Sequence, residues 1–280
     1  MSGISACMGD WKSELTGGRV LVLVAHADDE SVGYGALLQR MREAVVVIAT
    51  DNAPRDPYFW ERFGSREAYR TVRRNEARQA MQLAGVRELV LLADDDPRLE
   101  DQRLFLNLAA AYSRLEFLAQ RAKPKAIATL AYEGGHPDHD SCSVLGARLG
   151  TQFDVPVWEA PLYHRGYHNS AADQAGVVDS TSEQTRATQV QQFICPSGGE
   201  IVVEITASEL ECKRAMCSQY MSQGDFLQTF EVRREVVRPQ VKYDYAQPPH
   251  QGKTNYEHWQ WWMSAQEVSA KFAEFLGSRC

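Results

Sequence analysis

No apolar run in this chain comes near the ~20 residues that a membrane-spanning helix needs; the strongest, Val20–Ala25 and Ala44–Ala49, stop after one strand's length. The first residues, MSGISACMGDWKSELTGG, lack a basic stretch followed by an apolar one. No secretory signal is therefore expected, and the expected location is the cytoplasm. Cysteine is sparse, with six residues at positions 7, 142, 195, 212, 217 and 280 and no C-x-x-C spacing. That excludes a disulfide frame or a cysteine-rich zinc site and suits free thiols in a reducing compartment. Positive charge is not in excess: Lys and Arg total 30 against 37 Asp and Glu, a net charge of −7. Nucleic acid is not an expected partner. No G-x-G-x-x-G follows the first strand-like segment, which argues against a non-catalytic nucleotide-binding domain. Internal repeats and low-complexity segments are also missing.

What is present is a regular alternation. Arg19–Ala25 reads as a strand buried on both faces. A helix is expected from about 31 to 42, then a second strand over 44–50, which together make a βαβ unit. Helical spacing returns over 61–84, closed by Gly85. A strand is expected at 88–92, a helix at 103–121, a strand at 125–130, a helix at 138–150 and a strand at 155–160. This pattern is that of a doubly wound, mostly parallel α/β sheet with helices on both faces. Beyond residue 160 the order weakens. Residues 163–199 read as a polar loop or hairpin. Strands are expected near 200–206 and 230–237, a helix near 209–221 with Ser208 as its cap, and a last helix with Val268, Phe272, Phe275 and Leu276 on one apolar face. The expectation is a single domain over 1–280, with a core at 19–160 and cleft elements plus a C-terminal extension of strands and helix at 161–280.

Chemistry concentrates where two of these strands end. The first runs into His26, Asp28, Asp29 and Glu30; the fourth runs into Glu133-Gly-Gly-His136-Pro-Asp-His139-Asp140. Acids there could simply cap the next helix, but a His and three acids exceed what one cap needs. In a parallel sheet both ends lie on the same side, so the clusters can meet. His26, Asp29 and one of His136 and His139 would then make three ligands with an open fourth position, the arrangement of a catalytic zinc. Asp28 stands beside the ligands, free to take a proton. The unused His could steady an oxyanion or donate to a leaving amine.

These residues resemble a known family. AHADDE is similar to the (P/A)-H-P-D-D-E motif of the PIG-L/LmbE-like zinc-dependent N-deacetylases, and GGHPDHD to their second motif, H-P-D-H. The resemblance covers about 19–150, and more weakly 209–223, where KRAMCSQYMSQ is similar to a late K-x-x-A…S-Q helix. It implies a Rossmann-like fold and removal of acetyl groups from N-acetylglucosamine-type sugars in small molecules or glycoconjugates; some members are amidases. It implies Zn2+ as cofactor, other divalent metals being compatible, with His26, Asp29 and His139 as ligands. Asp28 would be the general base and His136 the acid and oxyanion residue. Arg73, of Arg73-Arg74-Asn75-Glu76, would contact substrate, as would Asp96. Glu30 would support a ligand or a substrate group, or cap the helix. Ala27 departs from the family's Pro, which removes no ligand.

The expected partner is a small N-acetylated sugar, with no membrane span; a homo-oligomer is compatible with this reading. The alternative reaction is an amidase cleaving a larger acyl group at the same site. His164 and His168 read as surface residues rather than cleft residues, and the Trp-rich segment 256–262 as packing rather than a sugar-stacking wall.

Overall fold

The computed structural model describes residues 10–162, 191–230 and 232–278. His164 and His168 lie outside them. In chain order the elements are α1 (Trp11–Thr16), β1 (Arg19–Val24), α2 (Asp29–Arg40), β2 (Glu43–Ile48), α3 (Arg66–Ala84), β3 (Glu88–Leu91), α4 (Leu108–Ala122), β4 (Ala126–Leu130), α5 (Pro137–Phe153) and β5 (Val157–Ala160). There follow β6 (Ile201–Val203), α6 (Ala207–Gln219), α7 (Gly224–Leu227), β7 (Glu235–Pro239), α8 (Asn255–His258) and α9 (Ala265–Gly277).

The strands form one seven-stranded sheet in the order β3-β2-β1-β4-β5-β7-β6. The first five in chain order run parallel; β7 continues the sheet antiparallel to β5, and β6 pairs antiparallel with β7. The unbroken apolar run of β1 is explained by its place: Val20 to Val24 are wholly buried, because helices cover both faces. Each such side chain stabilises the fold by about 1.5–3 kcal/mol. α2, α3 and α6 pack together, as do α4, α5 and α9, which gives the two helical layers that right-handed crossovers on either side of β1 require. No described helix is long and apolar enough to cross a membrane.

The sheet order reverses between β1 and β4. A crevice opens at their carboxyl ends, and in open α/β sheets that is where ligands bind. β1 delivers 25–30 to it and β4 delivers 131–139.

Some boundaries differ from those the sequence suggests. α4 starts at Leu108, not 103, because the Asp138 carboxylate accepts the backbone N–H groups of Gln102 (2.6 Å) and Leu104 (2.9 Å). Those bonds pin 101–106, whose Leu104–Leu106 form a single 3-10 turn, with Gln102 at φ 63°. α3 starts at Arg66 behind the Ser65 cap. The cap of α6 is Thr206 rather than Ser208, in a reciprocal box with Glu209, which satisfies two end groups at once. Leu276 is 44% exposed, so the apolar face of α9 is Val268, Phe272 and Phe275.

α6 docks on α2 through charge. Lys213 and Glu235 are both fully buried, and Lys213 Nζ lies 2.7 Å from Glu235 Oε1. Nζ also donates to the Val32 carbonyl at 2.8 Å, while the two Glu235 oxygens accept from the N–H groups of Ala36 and Leu37. The pair is thus inserted into the hydrogen bonding of α2. Gly35 makes room for it: a Cβ there would stand 2.8 Å from Lys213 Cγ.

Candidate active site

His26 is the second residue after β1, and Asp29 opens α2. The chain turns between them at Asp28, which has φ 125° and ψ −31°. Asp29 Oδ2 accepts the His26 N–H at 2.8 Å and lies 3.5 Å from His26 Nδ1. Its other oxygen is 3.1 Å from His139 Nε2. Ligand atoms about 2.0–2.2 Å from a shared ion in a tetrahedron stand about 3.3–3.6 Å apart; the 3.5 Å separation falls in that range, and the 3.1 Å one, to the other Asp29 oxygen, falls just below it. Ligand atoms of His26, Asp29 and His139 all lie within 4.8 Å of one another. The donor set, two imidazoles and a carboxylate, suits zinc and leaves a position open.

A second set surrounds the far side of His26. Its Nε2 is 3.2 Å from Asp138 Oδ2 and 3.3 Å from Asp101 Oδ1, and the same Asp101 oxygen is 3.8 Å from His136 Nε2. Asp138 is wholly buried. It is placed as the support that commonly fixes the tautomer and orientation of a ligating imidazole. The sequence pattern gave no signal for Asp101: no spacing ties it to either motif, and it arrives through the pinned segment 101–106, its N–H bonded to Asp51 Oδ1 at 3.0 Å. The three rings form a triangle, with centroids 4.4 Å apart for the edge-on pair His26–His136 and 5.3 Å for each of the other, tilted pairs.

His136 caps α5. Its Nδ1 accepts the Asp138 N–H at 3.1 Å, so the proton of the neutral ring sits on Nε2. Burial, with His26 and His139 adding, holds its pKa well below the usual imidazole range. For His26 burial pulls the same way, but Asp101, with hydrogen bonds to Asp138 and Asp29, outweighs it and raises the pKa. Burial would raise Asp29, yet His139 and His26 hold its carboxyl far below the ordinary value. Burial pushes Asp28 up to about 7 against the pull of Arg73, with Asp29 and Glu30 adding to the rise. Two adjacent carboxylates thus have opposed proton affinities, one suited to ligation and one to accepting a proton near neutral pH.

Three residues expected at the substrate face inward. Glu30 is fully buried; its oxygens accept from the Asp28 N–H, the Ser31 hydroxyl and the Tyr220 hydroxyl. Arg73 is 3% exposed, and its Nη2 donates to the Ala27 carbonyl and, at 3.1 Å, to Asp28 Oδ2. Both brace the motif instead of presenting polar groups to solvent. Asp96 is held by Arg98 at 2.7 Å and Arg114 at 3.5 Å. It lines a groove with Val90, Phe117 and Arg121, apart from the histidines. The acid that does reach them is Asp101.

Two further features close the site. The N–H of Ala27 donates to Asn52 Oδ1, a bond that proline at this position would lack. Trp261 meets His136 edge-on at 5.0 Å, and half-exposed Trp262 stacks on Phe105 at 5.5 Å with the Arg103 guanidinium 4.5 Å over its ring. The aromatic segment therefore packs and also borders the crevice.

Comparison with known proteins agrees with this geometry. Residues 21–149 match the family described as PIG-L: GlcNAc-PI de-N-acetylase. The chain is also 26% identical over 150 residues to the probable N-acetyl-alpha-D-glucosaminyl L-malate deacetylase 2 of Bacillus cereus, a match covering 52% of this chain and 66% of that protein. Among solved structures it resembles a deacetylase of the teicoplanin biosynthesis pathway, with TM-score 0.58, 16% identity, and 81% and 99% of the two chains covered. It also resembles GalB, the 4-carboxy-2-hydroxymuconate hydratase of Pseudomonas putida, with TM-score 0.50, 14% identity, and 76% and 82% covered. At such identities the likeness establishes the fold, which carries both a deacetylase and a hydratase. The matched stretch contains every residue of both histidine sets, and β7, β6 and α6 to α9 lie outside it.

Proposed function

We propose that this chain is a metal-dependent N-deacetylase, with zinc as its ion, acting on an N-acetylated amino sugar of the N-acetylglucosamine type in a small molecule or glycoconjugate. The observation that carries the reading is the convergence of His26, Asp29 and His139 at the reversal point of the sheet, with Asp28 beside them and His136 across from them. The PIG-L match and the deacetylase relative support it.

A cation held by His26, Asp29 and His139 supplies Lewis acidity toward the amide carbonyl and a bound water of lowered pKa. The remaining work belongs to the chain's own groups. Asp28 takes the proton of the attacking water on its carboxylate, which Arg73 holds in place. His136 presents Nε2–H to the oxyanion that develops on the acyl carbon, the tautomer being set by the Asp138 amide. The proton gathered by Asp28 is then available to the departing amine. Asp101 and Asp138 keep the His26 ring from turning. Burial of these groups excludes bulk water, which strengthens each interaction.

The same machinery would cleave a larger acyl group, and product analysis separates the two. With zinc supplied, a panel of N-acetylated sugars should give free amine and stoichiometric acetate. Asp28→Asn should retain the metal and lose turnover by about 10²–10⁴-fold. Failure of every acetylated sugar, or wild-type turnover by metal-loaded Asp28→Asn, refutes the proposal.

A further inference from the structure

Asp28 adopts a backbone conformation that L-residues rarely hold, φ 125° with ψ −31°. Such a conformation costs on the order of 1–3 kcal/mol and persists only where the surroundings enforce it. Two groups do so. The Asp28 N–H donates to Glu30 Oε2 at 3.0 Å, and the Asp28 carboxylate is bonded by Arg73 Nη2 at 3.1 Å.

Both enforcing groups also contact one side chain. The Tyr220 hydroxyl donates to Glu30 Oε1, the oxygen that does not hold Asp28. The Tyr220 ring lies under the Arg73 guanidinium, 5.9 Å from Cζ to centroid. Tyr220 is 1% exposed and is the residue immediately after α6. Its position is fixed on both flanks. Seven residues earlier, on the same face of α6, Lys213 is tied to Val32 and Glu235. Two residues later, Ser222 gives its N–H and hydroxyl to Glu76, at 2.8 and 2.6 Å, on the Arg73 helix.

We propose that Tyr220 is a positioning residue for Asp28, acting on the backbone through Glu30 and on the carboxylate through Arg73. The inference rests on the reading of Asp28 as the proton acceptor. It places part of the control of the reacting carboxylate outside the stretch 21–149 that matches the family, in a buried residue.

Tyr220→Phe keeps the ring and its volume and removes one hydroxyl, so the fold is expected to survive. Expected results are a kcat about tenfold lower, KM for the acetylated sugar within twofold of wild type, and unchanged metal content per chain. In the Asp28→Asn background the same change should have no further effect on the residual rate, since interacting residues are non-additive. A readout independent of turnover is hydrogen exchange at the Asp28 amide, which should speed up about tenfold in metal-free Tyr220→Phe as Glu30 loosens; a purely space-filling tyrosine would leave it unchanged. Wild-type kcat and wild-type amide exchange in Tyr220→Phe, beside an inactive Asp28→Asn, overturn the inference alone. An active Asp28→Asn overturns the reading of Asp28 and the inference with it.

Discussion

Replacing Lys213 by Met tests how the late part of the chain holds the helix that begins at Asp29. The ammonium has no access to water and neither does its partner, both side chains being 0% exposed at 2.7 Å separation. Met approximates the aliphatic stem, so little volume is lost. What is lost is the compensation for a buried carboxylate. Glu235 would keep the N–H groups of Ala36 and Leu37, and the Val32 carbonyl would keep the Gln191 amide, now at 2.8 Å. Removing one member of a buried pair costs about 3–5 kcal/mol, most of it from the charge left behind. For a chain of this size about 2–4 °C of Tm accompanies each kcal/mol, so Lys213→Met should melt roughly 6–20 °C below wild type. The double variant Lys213→Met, Glu235→Gln removes the stranded charge and should recover about half of the loss. Reversible urea unfolding of the three proteins, followed by far-ultraviolet dichroism, measures both numbers. A single variant within 1 kcal/mol of wild type, or a double variant less stable than the single one, would show that the pair is not what ties α6 to α2.

Other outcomes follow from the same geometry. Asp138→Asn removes the charged support behind the His26 ring and should weaken zinc binding about 10–100-fold, measured by competition with a chromophoric chelator; unchanged affinity would mean that His26 is held by other means. His139→Ala should lose the ion on dialysis, and chelator treatment of the wild type should abolish turnover until zinc is restored; full activity of metal-free protein would refute metal dependence. Ala27→Pro strands the Asn52 oxygen now bonded by the Ala27 N–H, so it should lower stability by about 1–3 kcal/mol, and a Tm at or above wild type would contradict that assignment.

The sheet and the convergence of His26, Asp29 and His139 were legible in the sequence because both depend on local pattern. Unbroken Val and Leu runs mark strands covered on both faces, and polar clusters at their ends mark the crevice. Asp101 was not legible, since it reaches the histidines only because Asp138 captures two amides of the segment 101–106. Glu30 and Arg73 could be found from their motifs, but not their direction, which depends on Tyr220, about 150–190 positions later in sequence. The triple acid run at 94–96 drew attention to Asp96, whose carboxylate is paired with Arg98 of its own loop and Arg114 of α4. Charge density in a loop does not say which way the loop faces.

The clasp between α6, β7 and α2 also bears on how such a protein can be recombined. A chimaera that grafts the first half of this chain onto the second half of a relative would keep His26, Asp29 and His139. It would, however, pair Val32, Ala36 and Leu37 with foreign side chains. Activity in such hybrids should track whether the donor half brings both the lysine and the glutamate, so that exchange of cleft-forming segments is bounded by one buried pair of charges.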